Sequence, residues 1–181
     1  TDNAEEFADV DVTVTLGRDI AGNVQVQGAG TDAFDIDTKN PTAVVTTTLN
    51  PIYEGSLVQT VIVTYDESMN SSSHPEITFT GEHWGTQATG SWSTSAFTNN
   101  TYTTTFTHDA TEERIAVEVA TVASASGAVD LAGNSDIGDS SSAFVLDTQK
   151  PTATVAVDTP LVKDSDLTQL VTVTYSEAMN Q

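Results

Sequence analysis

The sequence predicts an all-β protein made of tandem sandwich domains, on three observations. Apolar residues alternate with Thr and Ser through most of the chain, as in "VQTVIVTY" at 58–65, and no segment carries an apolar stripe of helical period. Hydrophobic residues make up 38% and charged residues only 17%, a balance that favours a folded, Thr-rich β protein with a sizeable core over a disordered acidic tail. The chain also repeats itself. "DTKNPTAVV" from Asp37 falls on "DTQKPTATV" from Asp147, and "VIVTYDESMN" from Val61 on "VTVTYSEAMN" from Val171, at one offset of 110 residues without a gap.

Seven strand candidates lie between the two copies. In order they are A (42–48), B (57–65), C (76–80), D (90–97), E (101–107), F (114–122) and G (141–147), separated by segments rich in Gly, Pro, Asn, Asp and Ser. In B, the alternation puts Val61, Val63 and Tyr65 on one face. In F, it puts Ile115, Val117, Val119 and Thr121 together. Seven short strands in about 110 residues fit a two-sheet, immunoglobulin-like Greek-key sandwich, in architecture only, because the chain has no cysteine for the inter-sheet disulfide. A jelly roll is the main alternative. Trp84 and Trp92 read as plugs of the core or its rim.

A repeat of this length is domain-sized. "AEEFADVDV" from Ala4 matches "TEERIAVEV" from Thr111, and "DIAGN" from Asp19 matches "DLAGN" from Asp130. Residues 1–36 therefore read as the C-terminal part of a preceding repeat, 37–146 as a complete repeat, and 147–181 as the N-terminal part of a following one. Pro41 and Pro151 mark the boundaries, since each keeps the residue before it extended. Neither end piece has enough chain to bury an apolar face alone, so both are expected to be ordered by neighbouring repeats of the same polypeptide or by identical subunits.

Charge narrows the function. Five Lys and Arg against 26 Asp and Glu give a formal net charge of -21, which excludes nucleic acid as a natural partner and disfavours anionic membranes while concentrating cations. No apolar run is long enough to insert this segment in a bilayer, and the first residues carry no leader pattern.

The acids are placed by topology. At the pole where the linker enters, the linker offers Asp35 and Asp37, the BC loop offers Asp66 and Glu67, and the FG loop offers Asp130, Asn134 and Asp136. Glu5 and Glu6 come from the EF loop of the preceding repeat. The next junction would assemble Asp109, Glu112 and Glu113 with Asp147 and Glu177, its FG partner lying beyond residue 181. Ca²⁺ takes six to eight oxygens in irregular geometry and suits such a set, whereas Mg²⁺ demands an octahedron and Zn²⁺ prefers nitrogen or sulfur. Solvated loop acids are the bland alternative for any one of these residues.

"LDTQKPTATV", "VTVTYSEAMN" and "DLAGN" resemble the tandem bacterial Ig-like domains of large repetitive cell-surface proteins, including biofilm-associated and type I-secreted adhesins, with similar modules in surface-layer proteins. The resemblance implies an extracellular, cell-surface stalk with structural Ca²⁺ at its domain junctions, and a ligand role for Asp37, Glu67 and Asp130 by position. Any cell-surface or glycan ligand would then be bound elsewhere in the full protein. The stretch "GEHWGTQATGSWS" has no counterpart in that resemblance.

Other readings are a surface-layer or filament subunit held by lateral and end-to-end contacts, and a glycan-binding sandwich using Trp84, Trp92 and Tyr102. Catalysis is not expected: the three histidines are isolated, and neither an HExxH helix nor a GxSxG elbow occurs. Asn70 and Asn99 begin Asn-X-Ser/Thr sequons, open to N-glycosylation in a suitable host.

Overall fold

A computed structural model describes residues 4–180, so the outermost residues of the two end pieces, 1–3 and 181, lie outside the described residues. All fourteen elements are strands. They are β1 (Glu6–Val14), β2 (Gly28–Asp37), β3 (Ala43–Thr47), β4 (Ile52–Tyr53), β5 (Val58–Tyr65), β6 (Ile77–Phe79), β7 (Ser91–Ser93), β8 (Thr101–Thr107), β9 (Arg114–Glu118), β10 (Ala120–Val122), β11 (Asp139–Ser140), β12 (Phe144–Asp147), β13 (Ala153–Val157) and β14 (Val171–Tyr175).

The central part forms a four-stranded sheet in the order β3-β5-β8-β7 and two three-stranded sheets, β11-β10-β6 and β4-β12-β9. Candidates A, B, C, D and E are β3, β5, β6, β7 and β8, with ends trimmed. Alternation is clean where expected. Gln59, Val61, Val63 and Tyr65 of β5 are buried, as are Tyr102, Thr104 and Phe106 of the paired β8.

Strand F is broken in two, which corrects the face assigned to it, while G is shortened to β12 and β11 lies just before its expected start. Ile115 of β9 packs on the smaller core cluster, but Val117 is exposed, and the buried set downstream is Glu118, Ala120 and Val122. A register shift between Phe144 and Leu146 on β12, opposite β9, accompanies this change. One extra residue at such a bulge turns the following side chains to the opposite face. Gly138 lies just before β11, where a Cβ would overlap the carbonyl oxygen of Val122. Gly138→Ala is therefore expected to cost about 1–3 kcal/mol in urea denaturation by forcing β10 and β11 apart; an unchanged midpoint would show that the backbones separate without cost.

Two apolar clusters fill the sandwich. The larger contains Val45, Val61, Val63, Tyr65, Tyr102 and Phe106 with Ala120 and Val122. The smaller contains Ile52, Phe144 and Leu146. Phe79 and Trp84, stacked with centroids 4.2 Å apart, pack against both. Trp84 thus bridges the core.

Each end piece forms a two-stranded hairpin. β13 and β14 pair in the register Ala153↔Tyr175 to Val157↔Val171, matching Ala43↔Tyr65 to Thr47↔Val61 of β3 and β5. β1 and β2 pair Glu6↔Asp37, Val10↔Phe34 and Val14↔Gly28, as the F and G strands pair Arg114↔Asp147, Glu118↔Phe144 and Val122↔Asp139. The end hairpins lack a cover. Val173 is 47% exposed where Val63 is 0%, and Phe34 is 49% exposed where Phe144 is 1%.

The pairing also moves the N-terminal match by one residue. Glu5 and Glu113 each donate a main-chain N–H to a threonine hydroxyl, Thr38 and Thr148, at 3.0 Å, and each accepts that threonine's N–H. Glu5 is therefore the counterpart of Glu113, and Glu6 of Arg114. Glu6 opens strand β1 and is not in a loop.

Candidate metal centre

Asp37, Glu67 and Asp130 each bring one carboxylate oxygen within 4.8 Å of the others, and such a group can hold a metal ion. Three segments supply them. Asp37 ends β2, Glu67 lies two residues beyond β5, and Asp130 starts the turn 130–134. The loops are tied together where Asn70 donates its N–H to the Val129 carbonyl at 3.0 Å and Met69 bridges to Asp130.

The turn holding Asp130 builds itself. One carboxylate oxygen accepts the N–H groups of Gly133 (2.6 Å) and Asn134 (2.8 Å), and the other accepts the Asn134 amide (2.8 Å). Gly133 has φ +98°, a conformation other residues rarely adopt. Asp19 and Asn23 make the same bonds at 2.8 and 2.7 Å, with Gly22 at φ +89°. An ionised carboxylate has about four acceptor sites, so three bonds leave Asp130 room for a cation.

Glu67 is the anomalous member. It is buried, and its Oε1 has no hydrogen bond. The Lys39 ammonium lies 3.3 Å from that oxygen, outside hydrogen-bonding geometry, and 3.1 Å from Asp66. Burial pushes the Glu67 carboxyl above its ordinary value; Lys39 opposes the rise, and the charges of Asp130 and Asp37 add to it. A charged group in this position is costly unless compensated.

An open cavity of ≈ 420 Å³ beside the cluster is lined by Glu6, Asp37, Lys39, Asp66, Glu67 and Ser68, with Phe97 and Leu131 as apolar walls. Hard oxygen donors from separate loops beside an open cavity form a donor set of the kind that oxygen-preferring cations take.

The other expected ligands fall elsewhere. Asn134 turns its amide N–H toward Asp130 and toward the Asp37 carbonyl (3.2 Å) and carboxylate (3.4 Å), so it clamps two acids together and offers them no oxygen. Asp136 is buried away from the cluster, accepting Ser126 N–H (2.9 Å), Ser126 hydroxyl (2.8 Å) and Tyr65 hydroxyl (3.3 Å). Asp35 accepts the N–H of Asp9 at 2.9 Å. Asp66 lines the cavity but accepts Thr42 N–H (2.8 Å) and pairs with Lys39; against its own desolvation, these hold its carboxyl below the ordinary value. Glu5 makes the main-chain bonds to Thr38 described above.

Around the second linker, cations occupy the acids. Arg114 Nε is 3.2 Å from Asp147 and Nη1 is 3.5 Å from Glu177. Lys150 is 2.9 Å from Glu54 and 3.8 Å from Glu112. Asp109 caps Thr111 and contacts His83 at 3.2 Å; the Thr111 bonds lead in drawing its carboxyl down to about 2. The buried His108 contacts Glu113 at 2.6 Å. Lys39 and Arg114, missed in the sequence, were signalled only by their adjacency in "DTK" and "EER".

Two of the three aromatic candidates converge and the third does not. Trp92 and the buried Tyr102 line a cavity of ≈ 570 Å³ with His74 and Gly90, while Trp84 lines a different one. Trp92 donates to the Ser73 carbonyl at 2.9 Å, and the Tyr102 hydroxyl accepts from Gly90 and Gln87. Of the sequon residues, Asn70 is half-buried and accepts Ser72 N–H at 2.9 Å, and Asn99 has φ 51° and donates to Thr94.

No family model, curated protein or solved structure matches this chain.

Proposed function

We propose that the chain is a non-catalytic stretch of tandem immunoglobulin-like repeats from an extracellular cell-surface protein, acting as an extender whose first junction is stiffened by Ca²⁺ at Asp37, Glu67 and Asp130. The observation that carries the reading is the convergence of Asp37, Glu67 and Asp130, from the linker and two loops, with carboxylate oxygens within 4.8 Å of one another and Glu67 buried. A cation there would relieve repulsion among three carboxylates that the Lys39 ammonium, 3.3 Å from the Glu67 oxygen, offsets only in part, and would cross-link the linker to the domain.

The strand order supports the architectural part. β3-β5-β8-β7 reads A-B-E-D, and β6-β10-β11 reads C-F-G, the order of a constant-type immunoglobulin sandwich. The duplicated pairing registers support tandem repetition, with residues 37–146 as the complete unit and the end hairpins as parts of neighbouring ones.

Isothermal titration of the chain with Ca²⁺ tests the reading. One binding event is expected, with Kd in the range of about 10⁻⁴ to 10⁻³ M found in extracellular modules, absent in Asp37→Ala and not reproduced by Mg²⁺. A flat titration with the wild-type chain would leave the cluster as solvated and clamped acids, and the extender without its stiffening element.

A further inference from the structure

The two linkers carry the same strand pairing but not the same charges. Aligned by that pairing, Glu6, Asp37, Lys39, Asp66 and Glu67 at the first correspond to Arg114, Asp147, Gln149, Ser176 and Glu177 at the second. The first set has four carboxylates and one ammonium, net −3. The second has two carboxylates and one guanidinium, net −1. Glu6 lines the cavity beside the metal cluster. At the matching place Arg114 reaches Asp147, the counterpart of Asp37, and Glu177, the counterpart of Glu67.

We infer that Arg114 does at the second junction the bridging that a cation does at the first, linking Asp147 to Glu177, so that this tie between the linker and the following hairpin needs no divalent cation. A guanidinium has donors spread across a planar fork and stays protonated in proteins, so it can bind two carboxylates from different elements at once. It joins the end of β12 to the loop after β14, the same elements that a cation joins through Asp37 and Glu67 at the first linker. The two joints thus differ in what ties the linker to the next strands, a metal at the first and Arg114 at the second. This inference rests on the calcium reading for the contrast between the joints, but the role of Arg114 stands apart from it.

The absence of cysteine allows spin labels to be placed at will. Thr13→Cys with Ser71→Cys spans the first junction, and Ala123→Cys with Thr168→Cys spans the second; all four positions are exposed. Double electron–electron resonance distances would be measured in Ca²⁺ and in excess chelator. The first pair is expected to lose its narrow component on chelation. The second should keep its narrow component in both conditions and lose it in Arg114→Gln, whereas Arg114→Lys should restore little, because a lysine contacts one carboxylate at a time. A second pair that narrows with Ca²⁺, or stays narrow in Arg114→Gln, would overturn the inference. A first pair indifferent to Ca²⁺ would instead sink the calcium reading and leave the Arg114 result to be judged alone.

Discussion

Phe144→Ala is expected to lower the stability of the chain by about 3–5 kcal/mol, the usual loss for truncating a buried aromatic ring. Phe144 is 1% exposed and stands edge-on to Phe79 and Trp84, each at 6.2 Å. With Ile52 and Leu146 it makes the smaller cluster, which meets the larger through Phe79 and Trp84. Removing the ring therefore leaves a cavity against the residues that join the two halves of the core. Urea denaturation followed by tryptophan fluorescence reads the loss directly, since Trp84 faces the vacated space. Phe34→Ala is the matched control. The residue is of the same type and at the same register position opposite Val10 as Phe144 opposite Glu118, but half exposed, so its loss should be about 1 kcal/mol at most. A loss below about 1 kcal/mol at Phe144 would deny the smaller cluster a place in the core. A loss at Phe34 as large as at Phe144 would show that the N-terminal hairpin is covered in solution by another copy.

Much of this architecture could be read from the sequence, for a physical reason. β3, β5 and β8 alternate without interruption because one side of each faces the core, so period-two patterning and burial coincide. F failed at its centre. Its pattern around Val117 and Val119 continued to look regular, but the bulge near Glu118 exchanged the faces, and a buried glutamate is not a signal that alternation offers. The one-residue error in matching Glu5 and Glu6 has a similar origin: a tie among acidic residues is broken by main-chain pairing to Thr38, which composition does not encode.

Among the candidate ligands, convergence of loops on one pole was legible, and it brought Asp37, Glu67 and Asp130 together. Direction was not. Asp130 and Asp136 stand on the same loop, yet Asp136 turns inward to Tyr65 and Ser126 while Asp130 faces the linker. Cations were overlooked for a related reason. With only five Lys and Arg, the acidic excess drew attention to metal, although Lys39 and Arg114 lie at the points where acids crowd most.

Glu67→Gln and Asp136→Ala should separate the metal centre from the structural acid beside it. Glutamine keeps the shape of Glu67 but removes a desolvated charge next to Asp37 and Asp130, whose repulsion already raises that carboxyl. Without Ca²⁺ the variant is therefore expected to be as stable as the parent or more so by about 1 kcal/mol, since Lys39 keeps its contact with Asp66. Its Ca²⁺ affinity should fall on the order of a hundredfold or more, since a neutral amide replaces one of three carboxylate ligands and even an outer-shell partner is worth about 10–100-fold. Asp136→Ala reverses the pattern. It strands the buried Tyr65 hydroxyl and the Ser126 donors, an expected loss of about 2–3 kcal/mol, while the three ligands and the Asp130 turn keep their bonds and the Ca²⁺ isotherm keeps its midpoint. Denaturation with and without metal, paired with titration calorimetry, gives both readings for each variant. Should Asp136→Ala abolish Ca²⁺ binding in a chain still folded, or Glu67→Gln preserve it, the ion would belong to a different set of oxygens and Glu67 would be left with Lys39 as its partner.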